Sequence, residues 1–329
     1  MDKKILKKAK IYLSKSYFKN ISNLEQIKGG RNSSVFKFKS NNKRLILKIY
    51  KDNQNSRIKR ESLFYKFLNR KKMDQVVTPI SFNLKNNFAV YPYISGTKIK
   101  NISNYHIDEI SNFLNLLNKS KFSKNLPLAI DGIKNREYHL KLCEKKVNQL
   151  KKIKINSSTK KNFLSFLINK IVPKFEEIKK NYKAIKKYNL PKMKLTKKEM
   201  IVSPSDFGFH NIIKKNKKLF FIDFEYAGLD DPIKLICDFY CQPDQNLNEY
   251  HKKKFINKLI VKNYTKKVLA NYTKIFLPFH KLKWCCIMLN EFKNDNQYRD
   301  KKTIYESKKI MKRQLIKTKI YFKKNFEKA

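Results

Sequence analysis

Glycine, proline, cysteine and acidic residues are all scarce in this chain. Among 329 residues there are 6 Gly and 9 Pro, which excludes collagen-like repeats and a chain dominated by flexible linkers. Long apolar runs are missing as well. None approaches the ~18 residues that mark a membrane-spanning helix, so no membrane span is expected. Residues 1–20 are lysine-rich and helical in pattern but lack the continuous apolar segment of a secretory signal, which points to a cytoplasmic protein. The 5 cysteines are Cys143, Cys237, Cys241, Cys285 and Cys286. An odd number without a secretory signal indicates reduced thiols. Cys237 and Cys241 sit one helical turn apart and Cys285 and Cys286 are adjacent, and neither spacing is that of a zinc knuckle. They read as small buried apolar side chains. His106, His139, His210, His251 and His280 are scattered and suggest no metal triplet.

Acidic residues number only 26 against 77 Lys+Arg, for a net charge of +51. A field of this sign attracts anions and binds polyanions non-specifically at low salt. Its distribution argues against dedicated nucleic-acid recognition. Arginine, the residue of bidentate base and phosphate recognition, occurs only at positions 31, 44, 57, 60, 70, 136, 299 and 313, whereas lysine runs through every segment. The chain is also rich in Asn and Ile throughout, which fits a codon-composition effect. With 41% hydrophobic and 13% aromatic residues, a sizeable core can form. The length allows about two domains or one large one.

Residues 24–50 read as strands, with Val35 to Phe38 and Leu45 to Tyr50 short, β-branched and aromatic, separated by Ser40, Asn41 and Asn42. Residues 56–69 turn helical, with Leu63, Phe64, Phe67 and Leu68 expected on one face. A further strand at Phe88 to Tyr91 runs into Pro92, Tyr93, Ile94, Ser95 and Gly96. From about 100 to 190 the pattern is helical, broken at Asn189, Leu190 and Pro191. Short buried strands follow at Met200 to Val202 and Leu219 to Phe224. Asp231 before Pro232 is a good helix start, with the Asp as cap and the Pro at the first helical position. Helices then continue to the end. The organisation is α+β, with a small sheet plus one helix over residues 1–95 and a larger, mainly helical region over 96–329.

Because glycine is rare, its positions carry information. Gly29 and Gly30, followed by Arg31, Asn32, Ser33 and Ser34, form a loop between two strands that could cover phosphates with its N–H groups. A plain hairpin is the competing reading. Lys48 lies on a strand face with Ile46 and Tyr50, and a lysine on an otherwise apolar face needs an anionic partner. Glu61, at the border of the apolar face of the following helix, can supply it.

The acids give the strongest signal. Seven of them (Asp206, Asp223, Glu225, Asp230, Asp231, Asp238 and Asp244) fall within 39 residues, where even spreading would place about three. Clustered carboxylates in so basic a chain suggest a metal or proton-transfer site. Residues 209–213 and 219–224 read as a β-hairpin, and reflection about position 217 places Asn211 opposite Asp223. Cross-strand neighbours lie ~5 Å apart, so these two could share a cation, and their oxygens are hard ligands suited to Mg²⁺. Asp206, five residues before Asn211, lies in a loop able to aim its carboxylate at the same place.

The set Gly29, Gly30, Lys48, Glu61, Asp206 with Asn211, and Asp223 resembles the bilobal protein-kinase-like fold, and in particular the aminoglycoside phosphotransferase family of small-molecule kinases. The stretch Asp206-Phe207-Gly208-Phe209-His210-Asn211 is similar to that family's catalytic loop. Ile222-Asp223-Phe224-Glu225-Tyr226-Ala227-Gly228 is similar to its metal-binding segment. The similarity runs from about residue 22 to 320, and Lys283 to Phe292 resembles C-terminal helices of a bacterial branch. One departure is Pro204-Ser205 where the family often has His-Gly before the catalytic aspartate.

The resemblance implies an antiparallel-sheet N-lobe with one helix, a helical C-lobe, and an ATP- and Mg²⁺-dependent kinase acting on a hydroxyl of a small molecule. It implies Gly29, Gly30 and Ser33 over the nucleotide phosphates, Lys48 on the α/β-phosphates held by Glu61, and the stretch with Tyr91 and Tyr93 beside the adenine. Asn211 and Asp223 would hold the metal and Asp206 would be the catalytic residue. Asp231 and Asp238 fit a role in pinning the following helix. Few acids lie outside 206–244, so a neutral or anionic sugar or amino alcohol is expected as acceptor in preference to a cationic aminoglycoside. The alternatives are a catalytically inactive kinase fold used for binding and a polyanion or nucleic-acid binder driven by charge.

Overall fold

The computed structural model describes residues 3–14, 18–27, 33–51, 55–71, 73–119, 126–153, 158–188, 193–293 and 304–327. The chain forms two compact units, Met1–Ile130 with Val202–Leu229, and Asp131–Ile201 with Asp230–Ala329. The break expected at Asn189 to Pro191 lies outside the described residues.

The first unit opens with helix α1 (Lys3–Ser14), followed by strands β1 (Ser22–Ile27), β2 (Ser33–Ser40) and β3 (Lys43–Tyr50), helix α2 (Asn55–Asn69), and strands β4 (Ser81–Asn83) and β5 (Phe88–Pro92). The five strands pair antiparallel in the order β1-β2-β3-β5-β4. The β2–β3 hairpin turns on Asn41 and Asn42, at φ 45° and 61°. Asparagine tolerates this left-handed conformation, and a two-residue turn of this hand matches the twist of the strands it joins.

Alternation along β3 divides the sheet into two chemically different faces. Leu45, Leu47 and Ile49 join Phe36, Phe38, Phe88 and Val90 in an apolar cluster closed by Ala9 and Leu13 of α1. The ring of Tyr12 stacks on Phe88 at 4.1 Å. The lysine-rich N-terminal helix thus contributes a lid on the sheet. The intervening residues Lys48 and Tyr50 are buried on the other face, where Glu61 and Tyr65 of α2 lie. The apolar stripe of α2 is Ile58, Phe64, Tyr65, Phe67 and Leu68. Leu63, expected among them, is exposed. Helical periodicity places it off the stripe once Phe64 and Leu68, one turn apart, define the centre.

The same unit contains helix α3 (Asn104–Asn118), a 3-10 turn Phe209–Asn211 and the hairpin β6 (Ile212–Lys215) and β7 (Lys218–Phe221). An aromatic stack fixes these pieces. Phe113 of α3 stacks on Phe221 at 3.8 Å and on Phe207 at 6.0 Å, with Phe224 at 6.4 Å. Thr97 and Lys214 exchange backbone hydrogen bonds of 2.9 Å. Gly96 makes that approach possible, since a Cβ there would lie 2.5 Å from the Lys214 carbonyl oxygen.

The second unit is helical: α4 (Tyr138–Lys151), α5 (Ser158–Phe166), a π-helical turn Leu167–Ile171, α6 (Val172–Tyr188), α7 (Pro232–Cys241), α8 (Glu249–Lys258), α9 (Lys266–Met288) and α10 (Ile304–Phe326). Helix α9 is the hub and packs against α4, α6, α7, α8 and α10. All five cysteines lie buried in this unit as free thiols, and burial pushes their pKa values up. They fill space as expected.

Asp231 caps α7, accepting from the Ile233 N–H at 2.9 Å, with Pro232 at the first helical position. It also binds Arg136 at 3.1 Å and contacts His139 at 3.3 Å. Asp238 takes Lys234 at 3.2 Å, His280 at 2.9 Å and Lys283. Both aspartates are therefore committed to pinning helices, as anticipated. No described helix is long and apolar enough to cross a membrane.

Candidate active site

Lys48 anchors the site. Its Nζ lies 2.9 Å from Glu61, 2.8 Å from Asp223 and 3.2 Å from Glu225. The strand–helix ion pair expected from the sequence is formed, and two further carboxylates join it. Burial alone would lower the ammonium pKa, but Asp223, Glu61 and Glu225 outweigh it and hold it well above the usual lysine value. Glu61 is fully buried, and burial raises its carboxyl above the ordinary range against the pull of Lys48.

Glu61 spends its remaining oxygen capacity locally. The Tyr50 hydroxyl donates to Oε2, and the backbone N–H of Phe224 donates to Oε1 at 3.2 Å. The Tyr91 hydroxyl lies 3.2 Å from that of Tyr50. Burial and the Glu61 charge push both phenols well up, so they stay protonated.

The loop from 203 to 211 is held by its own backbone and small side chains. Ser205 has φ 66°, a conformation that costs a non-glycine residue about 1–3 kcal/mol. Ser203 compensates: its buried hydroxyl accepts the Ser205 N–H at 3.0 Å. The Phe207 N–H donates to the Ser205 carbonyl at 2.9 Å, and Phe207 enters the aromatic stack. Asp206, between these anchors, keeps a part-exposed carboxylate 3.3 Å from His210 Nε2.

The hairpin register differs from the expected one. Ile212 pairs with Phe221 and Lys215 with Lys218, so Asn211 faces Ile222, whose N–H donates to the Asn211 carbonyl at 3.1 Å. The two-residue turn Asn216-Lys217, with Asn216 at φ 53°, shifts the axis half a residue from position 217. Asn211 belongs to a 3-10 turn and does not extend the strand. Asp223 is brought back by its own backbone, at φ 66°. The Asn211 amide nitrogen donates to the Asp206 carbonyl at 3.0 Å, which leaves Oδ1 as the atom a cation would take.

Asp223, Glu61 and Glu225 each offer a carboxylate oxygen within 4.8 Å of the others. These three oxygens form an all-oxygen cluster, the donor chemistry that suits Mg²⁺. Asp223 is the accessible member, with 39% of its side chain exposed against 1% for Glu61 and 3% for Glu225.

Of the other expected residues, Gly29 and Gly30 lie outside the described residues. Ser33 opens β2 opposite Tyr50 and is buried. The Tyr91 side chain belongs to the Glu61 cluster, so only its backbone is left for a ligand. The Tyr93 N–H donates to the Arg44 carbonyl at 3.1 Å, and the Arg44 guanidinium lies 5.1 Å from its ring centroid. The sequence assigns no site role to Tyr50 or Arg57 and marks Glu225 only as one of the clustered acids. Arg57 binds Glu225 at 2.9 Å and lies 4.8 Å from the Tyr226 ring centroid. The available signal was arginine scarcity: Arg57 and Arg60 fall on the helix that carries Glu61.

No family model matches the chain, and no curated protein sequence is similar to it. Solved structures are similar along its whole length. A spectinomycin phosphotransferase crystallised with ADP and spectinomycin gives a TM-score of 0.64 at 14% identity, covering 98% of each chain. The choline kinase LicA from Streptococcus pneumoniae gives 0.60 at 15% identity, covering 97% of this chain and 100% of that one. An ethanolamine kinase from Plasmodium vivax gives 0.61 at 16%, covering 96% and 89%. At these identities the likeness is one of fold. The chain has the protein-kinase-like fold of the aminoglycoside phosphotransferase and choline kinase structures.

Proposed function

We propose that this protein is an ATP-dependent phosphotransferase acting on a hydroxyl of a small molecule, a sugar or an amino alcohol. The supporting observation is the convergence of Glu61 and Asp223 within 2.9 Å of the Lys48 ammonium, in the same compact unit as Asp206 and Asn211. Solved structures of the same fold bear the names of kinases for spectinomycin, choline and ethanolamine. Phosphoryl transfer asks a protein chiefly for in-line positioning and neutralised phosphate charge, and these residues can supply both.

In this reading residues 1–95 form the lobe that covers the nucleotide, and residues 96–329 carry the catalytic loop and the acceptor side. Gly29, Gly30 and Ser33 cover the phosphates. Lys48, held by Glu61, contacts the α/β-phosphates. Residues 91–94 lie along the adenine. Asn211 and Asp223 hold Mg²⁺, whose contribution is charge neutralisation at the phosphates. Asp206 accepts the proton of the attacking hydroxyl or orients it. The net charge of +51 favours a neutral or anionic acceptor.

A screen of a metabolite pool with γ-labelled ATP tests this, with choline, ethanolamine and an aminoglycoside included as defined acceptors. A labelled product is expected with the wild-type protein. Asp206→Ala should lower its formation by roughly 10²–10⁴ while nucleotide binding persists. Undiminished transfer in that variant removes Asp206 from the mechanism. Mg·ATP binding without any transfer would instead favour a kinase fold used for binding.

A further inference from the structure

Helix α2 is joined to the segment 224–227 along one face. Arg57 binds Glu225 at 2.9 Å, Glu61 accepts the Phe224 N–H at 3.2 Å, and Arg60 reaches the Ala227 carbonyl at 3.4 Å. Residues 57, 60 and 61 share a face because they are three and four apart. The next turn continues the contact, with the Phe64 and Tyr65 rings 5.1 Å and 5.5 Å from Phe224.

The charges in this cluster are unequal. Glu61, Asp223 and Glu225 carry three negative charges, and Lys48 and Arg57 supply two positive ones. For Asp223 to take a metal, Lys48 must release it and remain fixed by the two buried carboxylates. Glu225, 2% exposed, can do this only while its own charge is held. Without Arg57 the imbalance doubles, and the three carboxylates, within 4.8 Å of each other, become a cation trap on the Lys48 side of Asp223.

We propose that Arg57 is a positioning residue: it clamps Glu225 by ion pair and by stacking on Tyr226, and so reserves Glu225 for Lys48 and Asp223 for the metal. The inference rests on the kinase reading above and adds a residue that reading does not use. Its consequence is metal-dependent nucleotide affinity, without contact between Arg57 and the reacting atoms. An Arg fork over an aromatic ring is a geometry lysine reproduces only in part.

The test is calorimetric binding of ATP to the full chain with and without Mg²⁺, for wild type, Arg57→Gln and Arg57→Lys. Loss of a charge-assisted bond to a buried carboxylate predicts about tenfold weaker Mg·ATP binding in Arg57→Gln. Metal-free ATP binding should change by less than about twofold, with Arg57→Lys intermediate for Mg·ATP. In turnover assays the loss should fall on KM for Mg·ATP more than on kcat. Equal weakening with and without metal would reduce Arg57 to a structural role and overturn the proposal. Unchanged Mg·ATP binding in Arg57→Gln would overturn it while leaving the kinase reading intact. A wild-type protein that binds neither form of ATP would overturn both.

Discussion

The Lys48 ammonium sits 2.8 Å from Asp223 and 2.9 Å from Glu61, so one cation joins an accessible carboxylate to a sealed one. The accessible partner is the one available to exchange lysine for a metal. Asp223→Asn keeps the shape and removes the charge. In thermal-shift assays ATP should stabilise wild type more with Mg²⁺ than without it. In Asp223→Asn the metal should add nothing. Ligand at 100 times its Kd stabilises a protein by about 2.7 kcal/mol, a shift large enough to read. An equal metal effect in the two proteins would take Asp223 out of the metal site.

Lys48 also has a structural role. Lys48→Met leaves buried Glu61 and Glu225 without their shared cation, and breaking a buried pair from one side costs about 3–5 kcal/mol. A lowered denaturation midpoint is expected. Adding Glu61→Gln should restore part of the loss, since the amide needs no counter-charge. Additive losses in the double variant would show that the two residues do not act as a unit.

Lys48 and Glu61 were legible in the sequence because a charge on an apolar face demands a partner, and the chain offers few acids. The strands, α2 and the α7 cap followed from alternation, periodicity and the Asp231-Pro232 pair. The hairpin register was not legible, because one residue of turn length separates two pairings of similar composition, and a turn centred on Asn216-Lys217 with a left-handed Asn216 decides it. The position of Asp223 depends on a backbone angle that no side-chain pattern reports. The lid formed by α1 was hidden by the lysines that interrupt its short apolar pattern of Leu6, Ala9, Tyr12 and Leu13. Arg57 and Glu225 are 168 residues apart, beyond any local signal.

Gly228 closes the segment 222–228 against the strand-like stretch 127–129. Leu229 and Ala129 are joined by a 2.9 Å hydrogen bond, as are Leu229 and Pro127. A Cβ on residue 228 would lie 2.4 Å from the Pro127 carbonyl oxygen and 2.5 Å from the Ala129 nitrogen. Both are backbone atoms that cannot swing aside. Gly228→Ala should therefore destabilise by at least the ~1–3 kcal/mol typical of overpacking, read as a lower Tm. A Tm equal to wild type would show that the 127–129 stretch yields freely.

In the helical unit, His280 is buried between Asp238 at 2.9 Å and His139 at 2.8 Å, with Lys283 also on Asp238. Asp231, Arg136 and Lys234 complete the surrounding charges. Burial, reinforced by Lys283, pushes the His280 pKa down to about 3, and burial lowers His139 in the same direction. An unfolded histidine titrates near ~6.5, so between these values the unfolded chain binds protons that the folded chain refuses. The stability these neutral rings contribute is fully present above pH ~6.5 and is lost as pH falls toward about 3. Urea midpoints should thus decline steadily from pH 7 to pH ~4. His280→Gln keeps a polar side chain of similar reach but cannot take up a proton. Its midpoint should start lower at pH 7, because the hydrogen bond to Asp238 is altered, and should fall less steeply on acidification. A slope identical to wild type would mean that folding leaves the proton affinity of His280 unchanged and would overturn this account.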